Sequence, residues 1–340
     1  MKALLIGGTG TISLAISRLL VQRGWELYLL NRGKRNAIFP GGAIHLQGDI
    51  NDEAATAALL AQEQFDVVAD FIAFTPEQVE RDYRLFAGKT KQYIFVSSAS
   101  AYQKPPAHYC ISESTPLANP YWGYSRDKIA CEDLLMRLYR EQGFPVTIVR
   151  PSHTYDERSI PLGLHGKNGS WPVAQRMLEG KPVIIHGDGT SLWTLTHSTD
   201  FAKGFVGLMH NLHAIGETVQ ITSDETVTWN QIYGVIASAL KVRLDAVHVA
   251  SDFLCACGAG QYDLTGSLLG DKSNSVVFDN SKLKRLVPDF AATIRVDEGL
   301  YKTVRHILHT PDLQTTDPEF DRWCDRVIEV QRAALTQFKG

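Results

Sequence analysis

The sequence has no apolar run approaching the roughly 18 residues that a membrane-spanning helix needs. The apolar stretch near its N-terminus stops at Gly7, too short for the core of a secretory signal. Cysteine is scarce: Cys110, Cys131, Cys255, Cys257 and Cys324 form an odd set with no C-x-x-C unit. That pattern argues against a disulfide framework or a zinc ribbon and fits reduced thiols. An excess of one charge sign is also missing. With 34 Lys and Arg against 37 Asp and Glu the formal net charge is -3, so nothing draws the whole chain toward nucleic acid or an anionic membrane. No internal repeat or low-complexity tract stands out. His153, His186 and His197 are not spaced as a ligand set, and no metal is expected. What is present is a globular composition, 44% hydrophobic and 21% charged, in 340 residues. That length suits two domains or one large one. A cytoplasmic, enzymatic α/β protein is expected.

Apolar runs at residues 2–6, 25–30, 43–47, 65–72, 92–96 and 145–149 alternate with helix-length segments at 12–23, 52–64, 76–87 and 124–142. Runs without polar interruption suit strands buried on both faces. Their strict alternation with helices predicts a Rossmann-type doubly wound parallel sheet. After Pro151 the rhythm breaks. Residues 152–171 read as loop, followed by strand-like pieces at 183–186 and 218–222 and helical segments at 199–210 and 229–240. A terminal helix over 318–335 places Phe320, Trp323, Val327, Ile328 and Val330 near helical spacing.

The turn Gly7-Gly8-Thr9-Gly10-Thr11-Ile12-Ser13 follows the first strand and opens the first helix. Glycine at 7 permits a tight turn, and glycine at 10 lets backbone approach a pyrophosphate at the helix start. Ser13 stands at the third glycine position and is still small. An ordinary glycine-rich turn is the competing explanation. The second strand ends in Asn31-Arg32-Gly33-Lys34-Arg35 without an acid. Arg32, Lys34 and Arg35 would suit a 2′-phosphate, hence NADP(H); alternatively the loop is solvated and Asn31 bonds the ribose. Asp49 can accept from an adenine amino group or cap the helix that begins near Asp52. These features predict a dinucleotide-binding domain over residues 1–151, with elements near 195–225 returning to it. Residues 152–340 then form mainly a smaller substrate-binding domain.

Tyr124-Ser125-Arg126-Asp127-Lys128 puts a phenol and an ammonium four residues apart on one helix face. A nearby ammonium favours the phenolate and makes a tyrosine usable as an acid/base at neutral pH. Ser97, Ser98 and Ser100 follow the fifth strand at the sheet edge where α/β ligands bind. One of them can donate to a substrate oxygen while Tyr124 moves the proton. Taken singly, Ser97 or Ser100 is as well explained by turn formation. His165-Gly166-Lys167-Asn168-Gly169-Ser170-Trp171 reads as a loop over substrate or as a surface turn.

Nucleotide turn, strand-end serines and Tyr-x-x-x-Lys in this order resemble the short-chain dehydrogenase/reductase superfamily. The similarity is greatest to its extended and atypical members, the NAD-dependent epimerase/dehydratase family. It covers about residues 1–240 and includes Val149-Arg150-Pro151, Gly187-Asp188-Gly189, His197 and Asp200. The resemblance implies Ser98 as catalytic hydroxyl, Tyr124 as acid/base and Lys128 as its partner on the nicotinamide ribose. For the cofactor, NAD(P)(H) with a leaning to NADP(H), it implies Gly7, Gly10, Thr11, Ile12, Asn31, Arg32, Asp49, Ile50, Phe71, Ser97, Tyr124, Lys128 and Pro151. Substrate contacts are expected from Ser98, Ser100, His153 and Trp193.

Departures from the family pattern narrow the chemistry. Ala99-Ser100 replaces the Asp-Glu pair of dehydratases, which argues against 4,6-dehydration. Trp193 stands where sugar-nucleotide epimerases place an arginine, and His153 where a loop asparagine is usual. The implied reaction is reversible hydride transfer at a hydroxyl carbon of a sugar or sugar nucleotide. It ends in epimerisation if the keto species is reduced on its other face, or in a dehydrogenase or NADPH-dependent reductase if that species leaves. The chain also resembles chloroplast stem-loop RNA-binding proteins, an atypical branch. Tyr124, Lys128 and the negative net charge favour an enzyme over an RNA-binding module. Family habit further implies a homodimer through helices of the first domain.

Overall fold

The structure is a computed structural model and describes residues 1–33 and 40–339. Strands β1 (Lys2–Ile6), β2 (Glu26–Asn31), β3 (Ile44–Gln47), β4 (Val67–Asp70) and β5 (Tyr93–Val96) pair in parallel with the strands Val146–Pro151 and Thr218–Ile221. From one edge the order is Thr218–Ile221, Val146–Pro151, β5, β4, β1, β2, β3. The order reverses between β1 and β4, and a crevice opens there at the C-terminal strand ends. Helices α1 (Thr11–Gln22), α2 (Glu53–Leu59), α3 (Pro76–Phe86) and α4 (Gly123–Gln142) make the crossovers. The α/β, doubly wound fold expected from the alternation is the one observed.

The unbroken apolar strands are explained by what lies on each face. Ala3, Leu5, Leu27, Leu29 and Ile94 pack with Ile16 and Leu20 of α1 and with Phe201 and Phe205 of the helix Ser198–Leu208. Their alternates Leu4, Ile6, Tyr28, Leu30 and Phe95 pack with Val79 and Phe86 of α3 and Cys131 and Leu135 of α4. Each leucine so buried contributes about 1.5–3 kcal/mol. Helix boundaries follow local chemistry. Thr75 and Gln78 form a capping box before Pro76 opens α3, and α4 stops at Gly143 in the left-handed region (φ 67°).

A third apolar cluster gathers residues from the second half of the chain, including Trp171, Trp193, Trp229, Leu254, Leu268, Phe320 and Trp323. The terminal helix Pro318–Lys339 contributes Phe320, Trp323, Val327 and Ile328 to it. Val330, expected on that stripe, is exposed because the helix has run past the edge of the cluster. Residues 165–171 are fastened to the start of this helix. The Asn168 amide donates to Asp317 Oδ2 at 3.2 Å, and a Cβ on Gly166 would lie 2.4 Å from that same oxygen. Among the described residues no helix is long and apolar enough to cross a membrane.

Candidate active site

The chain leaves β1 through Gly7, whose φ of 84° is left-handed. A Cβ there would come within 2.6 Å of Ile72 Cγ2, so the turn has room only for glycine. Ser13 secures this turn. Its buried hydroxyl donates to the Gly7 carbonyl (2.7 Å) and accepts from the Gly10 amide (2.8 Å). The first turn of α1 carries no acid, so the positive end of the helix is uncompensated and suits an anion.

The turn opens into a cleft of about 610 Å³ lined by Gly7, Gly10, Thr11, Ile12, Asn31, Arg32, Asp49, Ile50 and Phe71, all expected there. Asn31 Oδ1 accepts from the Gly33 amide at 3.1 Å, while Asn31 Nδ2 is buried and has no partner among the described residues. Such a donor costs roughly 1–3 kcal/mol unless a ligand engages it. Capping of α2 belongs to Asp52, which accepts from the Ala55 amide at 3.0 Å. Asp49 instead accepts from the backbone and side-chain amides of Asn51 and faces the cleft. Arg32 is exposed at the cleft rim; Lys34 and Arg35 lie outside the described residues. The cramped glycine turn, the acid-free helix start and the orphaned Asn31 amide together fit a dinucleotide. Arg158 also reaches this place from 147 residues away, its Nη2 lying 3.5 Å from Thr11 Oγ1, and no local pattern in the sequence announces it.

Tyr124 lies in the first turn of α4 and Lys128 one turn later, buried. The Lys128 ammonium donates to the carbonyls of Ala73 (2.7 Å) and Val96 (2.8 Å) and sits 4.6 Å from the ring centres of Phe74 and Phe95. Burial pushes it down to about 8. Its distance to the Tyr124 ring centre is 5.9 Å. Desolvation pushes the Tyr124 phenol above its ordinary value, and a hydrogen bond with Ser98 pulls the other way. The lowering expected from the ammonium does not show at the phenol in this state. Lys128 is turned toward two carbonyls, and loss of water dominates at the phenol.

Tyr124, Ser98, Ser100, Pro151 and His153 line a second cavity of about 300 Å³. The Tyr124 ring lies 6.3 Å from that of Phe74, which lines the cleft. Ser98 Oγ and Ser100 Oγ are 2.9 Å apart, and the Ser125 hydroxyl donates to Ser100 Oγ at 2.8 Å. Ser97 and Trp193 are elsewhere, Lys128 lines neither space, and Pro151, expected against the dinucleotide, lines the second cavity instead. Ser97 is buried and donates to Glu132, which also binds Arg150. Trp193, expected against substrate, is buried behind the cavity, where its Nε1 donates to His153 Nδ1 at 3.1 Å. A large indole finds more favourable contact in the aromatic cluster, 5.3 Å from Trp229, than at a wet surface.

The cavity also contains Asp271 and Lys272, which sequence reasoning missed. They end a π-helix, Thr265–Lys272, a winding often found at functional sites. Gly266 and Gly270 let this segment lie against Trp122: a Cβ on Gly266 would be 2.2 Å from Trp122 Cδ1. The Lys272 carbonyl accepts from Trp229 Nε1 and faces His186 Nε2, both at 3.1 Å. Burial raises the Asp271 carboxyl and lowers the Lys272 ammonium, and Lys104 approaches Asp271 at 3.9 Å.

Residues 3–222 match the NAD dependent epimerase/dehydratase family. The chain belongs to that family. Among relatives of this epimerase/dehydratase member, the chloroplast stem-loop binding protein of 41 kDa b from Arabidopsis thaliana is 29% identical over 256 residues, 70% of this chain and 63% of its own length. The chain thus spans less than two thirds of that relative. The 2′-dehydrokanamycin reductase of Streptomyces kanamyceticus is 24% identical over 290 residues, 85% of this chain and 80% of its own. A solved UDP-glucose 4-epimerase from Bifidobacterium longum, in complex with NAD+ and UDP, superimposes with a TM-score of 0.71. That pair shares 17% identity, with 92% of this chain and 99% of the other covered; at that identity the likeness concerns the fold.

Proposed function

We propose that this protein moves a hydride between a nicotinamide dinucleotide and a hydroxyl carbon of a sugar or sugar nucleotide, with epimerisation as the net reaction. In this reading residues 1–151 bind the dinucleotide and 152–340 mainly cover the substrate. The observation that carries it is the placement of Tyr124 and Ser98 on the 300 Å³ cavity, with the Tyr124 ring 6.3 Å from that of Phe74, which lines the glycine-turn cleft. Gly7, Gly10, Asn31 and Asp49 would hold the dinucleotide. When bound and oxidised, it supplies the hydride acceptor and a second positive charge. Tyr124 Oη takes the proton of the substrate hydroxyl and returns it, and Ser98 hydrogen-bonds the same oxygen. Burial keeps the resting phenol protonated, so its ionisation depends on that added charge acting together with Lys128. Arg32 at the rim supports NADP(H) as the form used.

Turnover is to be measured on UDP-sugars and on neutral glycosides. Tyr124→Phe should lower kcat by about 10²–10⁴-fold while cofactor affinity stays within about twofold, the loss being one proton-transfer group outside the cleft. Near-normal turnover would refute the role. Dinucleotide that copurifies and is never consumed supports epimerisation. Stoichiometric consumption of added NADPH supports instead a reductase of a small carbonyl compound, the second reading, favoured by similarity to the dehydrokanamycin reductase along 85% of the chain. Stem-loop RNA binding with no turnover of any sugar would overturn both.

A further inference from the structure

An indole N–H can only donate a hydrogen bond. Trp193 Nε1 lies 3.1 Å from His153 Nδ1, so Nδ1 must present its lone pair and the ring proton of a neutral imidazole must sit on Nε2. Trp193 is 2% exposed and packed 5.3 Å from Trp229, so the indole cannot swing aside. Nε2 has no hydrogen-bond partner among the described residues, and His153 lines the cavity shared with Ser98 and Tyr124. We infer that His153 is a fixed-tautomer donor whose Nε2–H recognises an uncharged oxygen of a single sugar ring, and that Trp193 is the positioning residue that sets it without touching the ligand. The assignment rests on the proposed sugar chemistry for the class of ligand, and on this chain's own packing for the donor.

The surroundings keep the ring neutral. Burial, with Lys272 and His165 facing it, pushes His153 down to about 3. The carboxylate on that side, Asp271, is flanked by Lys104 and Lys272. His186 also packs against Trp229 and is itself lowered to about 4 by burial. Protonating Nδ1 would also set N–H against the indole N–H. A donor that gains no charge offers a phosphate no ion pair. A cavity of about 300 Å³ lies at the small end of ligand sites, a size for one sugar ring rather than for a whole sugar nucleotide.

The test uses the full chain loaded with NADP+, its histidines labelled with ¹⁵N. Nitrogen shifts should report His153 protonated on Nε2 and bare on Nδ1 throughout pH 5–8. Trp193→Phe, which keeps a ring and drops the donor, should give mixed tautomers and a ring that titrates nearer the ordinary range. By calorimetry, methyl α-D-glucopyranoside or UDP-glucose should bind, and His153→Phe should weaken that binding about tenfold with NADP+ affinity unchanged. A proton on Nδ1, an undisturbed tautomer in Trp193→Phe, unchanged sugar affinity in a folded His153→Phe, or no binding of either sugar would each overturn the inference. Should His153→Phe fail to fold, the nitrogen shifts of the wild type and of Trp193→Phe still decide. In a Tyr124→Phe background the nitrogen shifts should persist, which separates failure here from failure of the hydride-transfer reading.

Discussion

Lys128 is held where its charge is costly, and Lys128→Met should reveal how costly. The ammonium is 1% exposed and displaced from 10.5 to about 8. That displacement corresponds to about 3 kcal/mol of disfavoured charge in the folded state. Proton counting gives the sign. Below pH 8 both folded and unfolded chains carry the proton, and the penalty is fully present. Between pH 8 and 10.5 the unfolded chain binds more protons than the folded one, so the wild type gains stability as pH rises. Methionine cannot titrate and should show no such gain. Urea unfolding of both proteins, without dinucleotide, from pH 7.5 to 9.5 should therefore give a stability difference that moves in favour of the wild type by about 2 kcal/mol. Comparing the pair cancels the titrating groups that do not sense Lys128. At pH 7 the variant should be close to the wild type in stability, because relief of the buried charge offsets the two carbonyls left unpaired at Ala73 and Val96. A difference that stays flat across this pH range would refute the placement of a charged Lys128 in this enclosure.

Two other perturbations test neighbouring parts of the site. Glu132 is 3% exposed, binds Arg150 and accepts from Ser97; Glu132→Ala strands a buried guanidinium and should cost about 3–5 kcal/mol in urea unfolding, and a loss below about 1 kcal/mol would contradict the pairing. Arg32→Asp should shift the ratio of kcat/KM from NADP(H) toward NAD(H) by at least about tenfold, and an unchanged ratio would remove Arg32 from cofactor choice.

Features that depend on neighbours in sequence were readable from the chain alone. The glycine turn, the buried strands and the Tyr124–Lys128 spacing are set by a few consecutive residues, and the structure arranges them as the pattern implies. Features made by distant partners were not. Asp271 and Lys272 reach the cavity only because Gly266 and Gly270 accept Trp122, more than 140 residues away in sequence. Arg158 meets Thr11 across the fold, and Trp193 withdraws behind His153 because an aromatic cluster forms around it. The loop at 165–171 reads equally well as a lid or a turn, and the contact of Asn168 with Asp317 ties it to the start of the terminal helix. The charge relation between Tyr124 and Lys128 is hidden for a related reason: spacing gives proximity, while the carbonyls that capture the ammonium belong to Val96, the last residue of β5, and Ala73, in the loop after β4.

The π-helix Thr265–Lys272 gives the two ends of the site unequal freedom to change. The glycine turn is bolted to the central strands, so altering it disturbs the sheet. The loosely wound segment is different: deleting one residue would let it tighten into an ordinary helix and rotate the residues beyond the deletion by about 100°. Asp271 and Lys272 would then point elsewhere while the nucleotide half stayed as it is. Single-residue insertions and deletions at this point are thus a short route by which one scaffold acquires new ligand preferences.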